Sequence, residues 1–206
     1  MTRASDAVMF DLGGVLIDWN PRHLYRKLFD DAPAMEAFLS EVCTPSWNLE
    51  QDRGRPWAEA IAALSAIHPD KAELIAAYRS RWGEMLAGPI AGSVAILEAL
   101  ARAGVPLYAL TNWSAETFPI AEELYDFLGL FRGIVVSGRI GLIKPDRAIY
   151  DHAVARFGLV PERTVFIDDS AKNAAGAEAA GLRAIHFQGP EALARDLAAL
   201  GLPVPA

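Results

Sequence analysis

Val8-Met9-Phe10-Asp11-Leu12-Gly13-Gly14-Val15-Leu16 is the stretch on which the reading of this chain turns. An apolar run over Ala7–Phe10 reads as a buried strand, and it ends on a carboxylate followed by two glycines. A carboxylate placed directly after a buried strand costs desolvation unless a cation or N–H donors compensate it. The glycines let the backbone turn tightly and bring its N–H groups close to a ligand. An Asp at the N-cap of a helix could look similar, so the stretch needs support from elsewhere in the chain.

Working outward, four more short apolar runs follow at Val105–Leu110, Ile134–Val136, Thr164–Ile167 and Arg183–Phe187. Helix-length segments separate them, at about Ala115–Leu128, Asp146–Phe157 and Ala171–Ala180. Ser93–Ala103 reads as a helix before the second strand, with Ser93 as a candidate N-cap and Gly104 just past its end. Strand–helix alternation with apolar strands predicts an α/β fold, a Rossmann-like doubly wound five-stranded parallel sheet covered on both faces. About ninety residues separate Asp11 from Val105, far more than one crossover needs. Within them, Asn20-Pro21 opens a helix by an N-cap and a proline at the first position. Helical stretches follow at about Pro21–Phe29, Ala34–Val42, Pro56–Ile67 and Lys71–Leu86. The expected organisation is a catalytic core over 1–17 and 87–206 with an all-helical insertion over 18–86. Ligands of such sheets bind beyond the carboxyl ends of the strands, which is where this insertion begins.

Composition narrows the class. With 52% hydrophobic and 22% charged residues, the chain can bury a large core. A net charge of −7 argues against nucleic-acid binding, which needs a basic face. No apolar run approaches the roughly 18 residues of a membrane span, and Met1–Asp6 lacks the apolar stretch of a signal peptide. A cytoplasmic protein is expected. Cys43 is the only cysteine, which rules out an internal disulfide, and His23, His68, His152 and His186 show no metal-ligand spacing.

Three further segments stand at the ends of predicted strands. Thr111-Asn112 closes the second with a hydroxyl and an amide, donors suited to phosphate oxygens but also common in turns. Lys144 precedes Pro145, expected at the first position of a helix, so the lysine is held in the loop. Asp168-Asp169 places two carboxylates at the end of the fourth strand, where a hard divalent cation is the usual compensation.

In their order and strand context these segments resemble the four motifs of the haloacid dehalogenase-like hydrolases, the sugar-phosphate phosphatase branch above all. That branch carries Asp-Leu-Gly, Lys-Pro-(x)₄-Tyr and Asp-Asp, matched here by Asp11-Leu12-Gly13, Lys144-Pro145 with Tyr150, and Asp168-Asp169. The resemblance implies a phosphatase in which Asp11 attacks phosphorus. It implies Mg2+ held by Asp11, the carbonyl of Gly13 and Asp169, with Asp168 beside them orienting a metal-bound water. Thr111, Asn112 and the N–H groups of Leu12 and Gly13 would bind phosphate oxygens, and Lys144 would neutralise nucleophile and phosphoryl group, supported by Asn173. The expected partner is a small phosphorylated metabolite, with a sugar phosphate among the candidates.

One position departs from the pattern. Many phosphatases of the family carry a second Asp two residues after the nucleophile, as general acid–base; here it is Gly13. Asp18, a residue of the helical insertion such as Asp52, or a water would have to substitute, or the leaving group would need no help. The same departure admits two rivals: a metal-independent 2-haloacid dehalogenase, and a weakened core acting as a binding or regulatory module. Dehalogenases resemble Ser-Ser-Asn in the fourth motif, whereas two carboxylates beside Asp11 with no cation would spoil it as a nucleophile. The insertion decides substrate: Arg53 and Arg55 are candidates for a second anionic group, and Trp19, Trp47 and Trp113 for a pocket wall. Nothing in the sequence determines the oligomeric state.

Overall fold

The computed structural model describes residues 6–204. The first five residues, read above for a leader, and the last two lie outside it. Five parallel strands form the central sheet: β1 (Ala7–Phe10), β4 (Leu107–Thr111), β5 (Gly133–Val136), β6 (Thr164–Asp168) and β7 (Arg183–His186), in the order β5-β4-β1-β6-β7. The direction of winding reverses at β1, so its carboxyl end and that of β6 flank the switch point where ligands of this architecture bind. Alternate residues of β1 enter opposite cores. Val8 and Phe10 join a cluster with Leu97, Leu107 and Ile167, while Met9 joins Leu110, Tyr150 and Phe166 on the other face. Burial on both sides is why this strand is wholly apolar.

Helices α6 (Ala91–Arg102) and α11 (Pro190–Ala199) pack together, while α9 (Arg147–Phe157) packs against α10 (Ala171–Ala179). Short helices α7 (Phe118–Leu124) and α8 (Ser137–Ile140) lie in the crossovers. Between β1 and β4 the chain forms α1 (Pro21–Tyr25), α2 (Ala32–Glu41), α3 (Pro45–Asp52), α4 (Trp57–Ile67) and α5 (Ala72–Ser80). Each of the first three starts by the same local chemistry. Asn20 accepts from the Arg22 N–H, Asp31 from Ala34 and Thr44 from Trp47, with a proline in each first turn. The apolar faces of the five helices meet in an aromatic cluster in which Trp57 of α4 stacks on Tyr78 of α5 at 5.6 Å, and this cluster is continuous with one face of the sheet. No helix among the described residues is long and apolar enough to cross a membrane.

The structure corrects several boundaries. The helix expected over Lys71–Leu86 ends at Ser80, and Trp82–Met85 is a 3₁₀ turn. The chain then extends as β3 (Leu86–Pro89), antiparallel to β2 (Ile17–Trp19), so the five helices lie between the strands of a two-stranded ribbon. Trp82 and Met85 turn inward at that point, and Gly88 adopts a φ of +128° that a helix cannot use. Ser93 is not an N-cap: α6 begins at Ala91, directly after the ribbon, and Ser93 is buried within it. Pro145 precedes the N-cap Asp146 instead of opening the helix. The single helix expected over Ala115–Leu128 is α7 followed by a 3₁₀ turn, because Pro119 favours a start in the first turn of α7.

Candidate active site

The four segments converge on one edge of the sheet. Asp11 follows β1, Thr111 ends β4, Asp168 ends β6, and Lys144 reaches in from the loop after α8. The Lys144 side chain is completely buried. Its ammonium donates to the carbonyl of Leu110 (3.0 Å) and pairs with Asp11 (2.9 Å) and Asp168 (2.7 Å), which uses all three hydrogens. The loop that carries it is clamped by Asn112, whose Oδ1 accepts from the Lys144 N–H (2.9 Å) while Nδ2 donates to the Lys144 carbonyl (3.0 Å). The Asn112 side chain thus positions Lys144 first, leaving one Nδ2 hydrogen for a ligand.

Asp168 is equally committed. Besides Lys144, its oxygens accept from the Ser170 N–H (2.8 Å) and from Asn173 Nδ2 (3.0 and 3.2 Å). Tyr150 explains its place in the Lys-Pro-(x)₄-Tyr spacing. It packs beneath the site against Phe166 and donates its hydroxyl to the Asn173 carbonyl (2.8 Å), holding the residue that holds Asp168.

One carboxylate oxygen each from Asp11, Asp168 and Asp169 lies within 4.8 Å of the others, the one such acidic or histidine cluster among the described residues. Asp169 pairs with no cation among those residues. Gly14, at a φ of +74°, lies so near that a Cβ there would overlap the Asp169 carboxylate. Burial raises the pKa of Asp11, with Asp168 and Asp169 adding to the effect and Lys144 opposing it; Asp169 is raised by burial and then by Asp168. Three acids against one lysine, with oxygen-only donors, form a set that fits a hard divalent cation. The Leu12 N–H donates to Oδ1 of Asp11 itself (2.7 Å), and Gly13 lines the cavity.

The cavity above Asp11 is roofed by the helices between β2 and β3. Thr111, Asn112 and Asp169 share it with Asn48, Asp52, Tyr78 and three tryptophans, Trp19, Trp82 and Trp113. Of the expected wall residues, Trp19 and Trp113 are present, whereas Trp47 packs edge-on against Trp57 and Tyr78. Neither Arg53 nor Arg55 lines the cavity. Arg53 faces Asp146 (3.4 Å), and Arg55 is spent on Gln51 (2.7 Å) and the Trp47 carbonyl (3.4 Å). Asp18 points outward to His23 (3.0 Å).

Asp52 differs from Asp18 in every respect. It is buried, lines the cavity with Asp11, and accepts from Asn48 Nδ2 (3.0 Å) one helical turn before it. Its backbone is pinned to the core, since Ser137 donates Oγ–H to the Asp52 carbonyl (2.5 Å) and accepts from the Trp113 N–H (2.9 Å). Burial pushes its pKa up to about 7, against the pull of a Ser114 N–H and Lys144. Sequence reading named Asp52 but missed α3, Asn48 and Tyr78. Thr44-Pro45, the same start signal as Asn20-Pro21, could have found the helix and placed Asn48 and Asp52 on one face.

A family model of the haloacid dehalogenase-like hydrolases matches residues 5–181. A sesquiterpene phosphatase of Aspergillus oryzae is 29% identical over 182 residues, covering 88% of this chain and 89% of that one. Phosphoglycolate phosphatase 1 of Pseudomonas aeruginosa is 29% identical over 198 residues, covering 88% and 69%. Among solved structures, a HAD family enzyme of Bacteroides thetaiotaomicron, crystallised as a magnesium complex, superposes with a TM-score of 0.69 at 20% identity over 90% of this chain and 94% of that one.

Proposed function

The chain belongs to the haloacid dehalogenase-like hydrolases, and on that premise we propose that it is a magnesium-dependent phosphatase of a small phosphorylated metabolite. The observation that carries this reading is the cluster of Asp11, Asp168 and Asp169, two buried acids paired with one lysine and a third, exposed acid beside them. The names of the Aspergillus and Pseudomonas relatives support phosphoryl chemistry, and the magnesium in the Bacteroides structure supports the choice of ion. A dehalogenase attacking carbon would gain nothing from such a charge cluster. A purely regulatory module would not need its lysine so completely desolvated. Residues 1–17 and 87–206 would form the catalytic core and 18–86 the cap, with the protein working in the cytoplasm on a soluble ester.

Magnesium would be held by the Asp11 and Asp169 carboxylates and the Gly13 carbonyl, and when bound it offsets negative charge so that carboxylate and phosphate can approach. Asp168, its oxygens already occupied by Lys144, Ser170 and Asn173, would act beside the ion and not as a direct ligand. An Asp11 oxygen attacks phosphorus, the ester P–O bond breaks, and an aspartyl-phosphate forms. Thr111, the remaining Asn112 hydrogen and the Gly13 N–H would bind the phosphate oxygens, with Lys144 neutralising the developing charge, while the Leu12 N–H, expected among these donors, is engaged by Asp11. Asp52 would supply the proton that the departing alkoxide needs. Its carboxylate would then take one from the water that attacks phosphorus and frees Asp11. A carboxyl held near pH 7 is suited to giving and retaking a proton at neutral pH.

Phosphate release from a panel of phosphorylated metabolites is expected with magnesium and lost with EDTA. Halide release from 2-haloacids that survives EDTA would overturn the reading. Asp52→Asn is expected to lower kcat/KM, which reports departure of the alcohol, by about 10²–10³-fold for alkyl esters while 4-nitrophenyl phosphate, whose leaving group needs no proton, loses far less. Equal losses in kcat/KM on both substrates would remove Asp52 as the proton donor to the leaving group.

A further inference from the structure

The cavity over Asp11 has two chemically distinct halves. Its floor carries the acids and donors described above, while its walls are Trp19, Leu39, Cys43, Tyr78, Trp82 and Trp113. Arg22 is the one cationic side chain among the described residues that line it, and that guanidinium is held in a fork by Glu36, through Nε (2.6 Å) and Nη2 (2.5 Å). Of the polar wall groups, Asn48 Nδ2 is bonded to Asp52, while Asn48 Oδ1 and the indole nitrogens of Trp19, Trp82 and Trp113 have no partner among the described residues but are closed off from solvent. A second anionic group on the substrate would therefore meet no free cation, and the several hydroxyls of a sugar would face mainly indole, phenyl and aliphatic carbon. A hydroxyl buried there without a partner costs roughly tenfold or more in binding. The volume, about 430 Å³, is in the range of small-molecule sites.

We infer that the alcohol carried by the phosphate is an uncharged hydrocarbon group, so that the substrate is a monophosphate ester of an apolar alcohol and not a sugar phosphate or a carboxylated one. The inference rests on the phosphatase reading and specifies its substrate. A monoester is required because Lys144 is the one cation paired with the acids of the floor, which leaves little to neutralise a second phosphoryl group.

The test is a kcat/KM series with magnesium over linear alkyl monophosphates from ethyl to decyl, below their micellar concentrations. Glucose 6-phosphate, phosphoglycolate and 4-nitrophenyl phosphate are measured beside them. Each added methylene is expected to raise kcat/KM about fourfold until the cavity is full, after which the series levels. Glucose 6-phosphate and phosphoglycolate should fall at or below ethyl phosphate. Leu39→Phe, which fills part of the wall, should move the levelling point to a shorter chain. A flat series, a levelling point unmoved in Leu39→Phe, or preference for either polar ester over octyl phosphate overturns the inference. Turnover of 4-nitrophenyl phosphate with a flat series defeats it alone, whereas inertness of every ester defeats the phosphatase reading and this inference with it.

Discussion

Asp11→Asn is expected to lower phosphate release by about 10⁴-fold or more while leaving the protein at least as stable as before. The amide has the shape of the carboxylate but no oxygen nucleophilic enough to displace an alkoxide. Removing one of three crowded negative charges also relieves the repulsion that, with burial, raises the Asp11 pKa. Lys144 keeps its ion pair with Asp168 and its bond to Leu110, so it is not stranded. A rapid acid quench during turnover should recover covalent phosphate on the wild-type protein and none on the variant. Covalent phosphate at normal levels on Asp11→Asn would dismiss Asp11 as the nucleophile.

Lys144→Met should have the opposite effect on stability. The lysine is fully desolvated, and its loss leaves Asp11 and Asp168 buried with no cation, a change that typically costs about 3–5 kcal/mol. The methionine fills much of the same space, so the effect is electrostatic and not a cavity. Its sign with pH follows from the direction of the shifts. Lys144 holds the pKa values of Asp11 and Asp169 down, and without it both rise further above their unfolded values. A carboxyl whose pKa is raised by folding binds its proton more tightly in the folded state. The stability it contributes is present below the unfolded pKa and is lost as pH rises through the folded one. The metal-free variant should consequently be closest to wild type near pH 5 and furthest from it near pH 8, with turnover lost at both. Urea unfolding in EDTA at the two pH values measures this; equal destabilisation at both would mean that Lys144 acts through packing alone.

Much of the site was legible because the chemistry sits on short, regular pieces of chain. A four-residue apolar strand ending in Asp-Leu-Gly-Gly, a second ending in Thr-Asn and a third ending in Asp-Asp place their polar groups on one edge by strand geometry alone. The start of α1 was written in Asn20-Pro21 for the same reason: caps and prolines act within one helical turn. The ribbon of β2 and β3 was not visible, because Ile17–Trp19 finds its partner about seventy residues away and each strand is too short to show a period.

By itself, then, the sequence determined the parallel sheet, the position of Asp11, the acids and the lysine around it, and the glycine two residues on where a second Asp is usual. Those features depend on local periodicity and turn chemistry. Only the tertiary structure decided that Asn112 clamps the lysine loop, that Tyr150 acts on Asp168 through Asn173, and that Arg53 and Arg55 face away from the cavity. It also sets Asp18 and Asp52 apart by position. Asp18 is close to Asp11 in the chain but leans outward to His23, whereas Asp52 is forty-one positions away and arrives because α3 is pinned to the core through Ser137. Which side chains share a desolvated cavity depends on how the helices pack over the sheet, and that packing joins residues whose separation along the chain carries no trace of it.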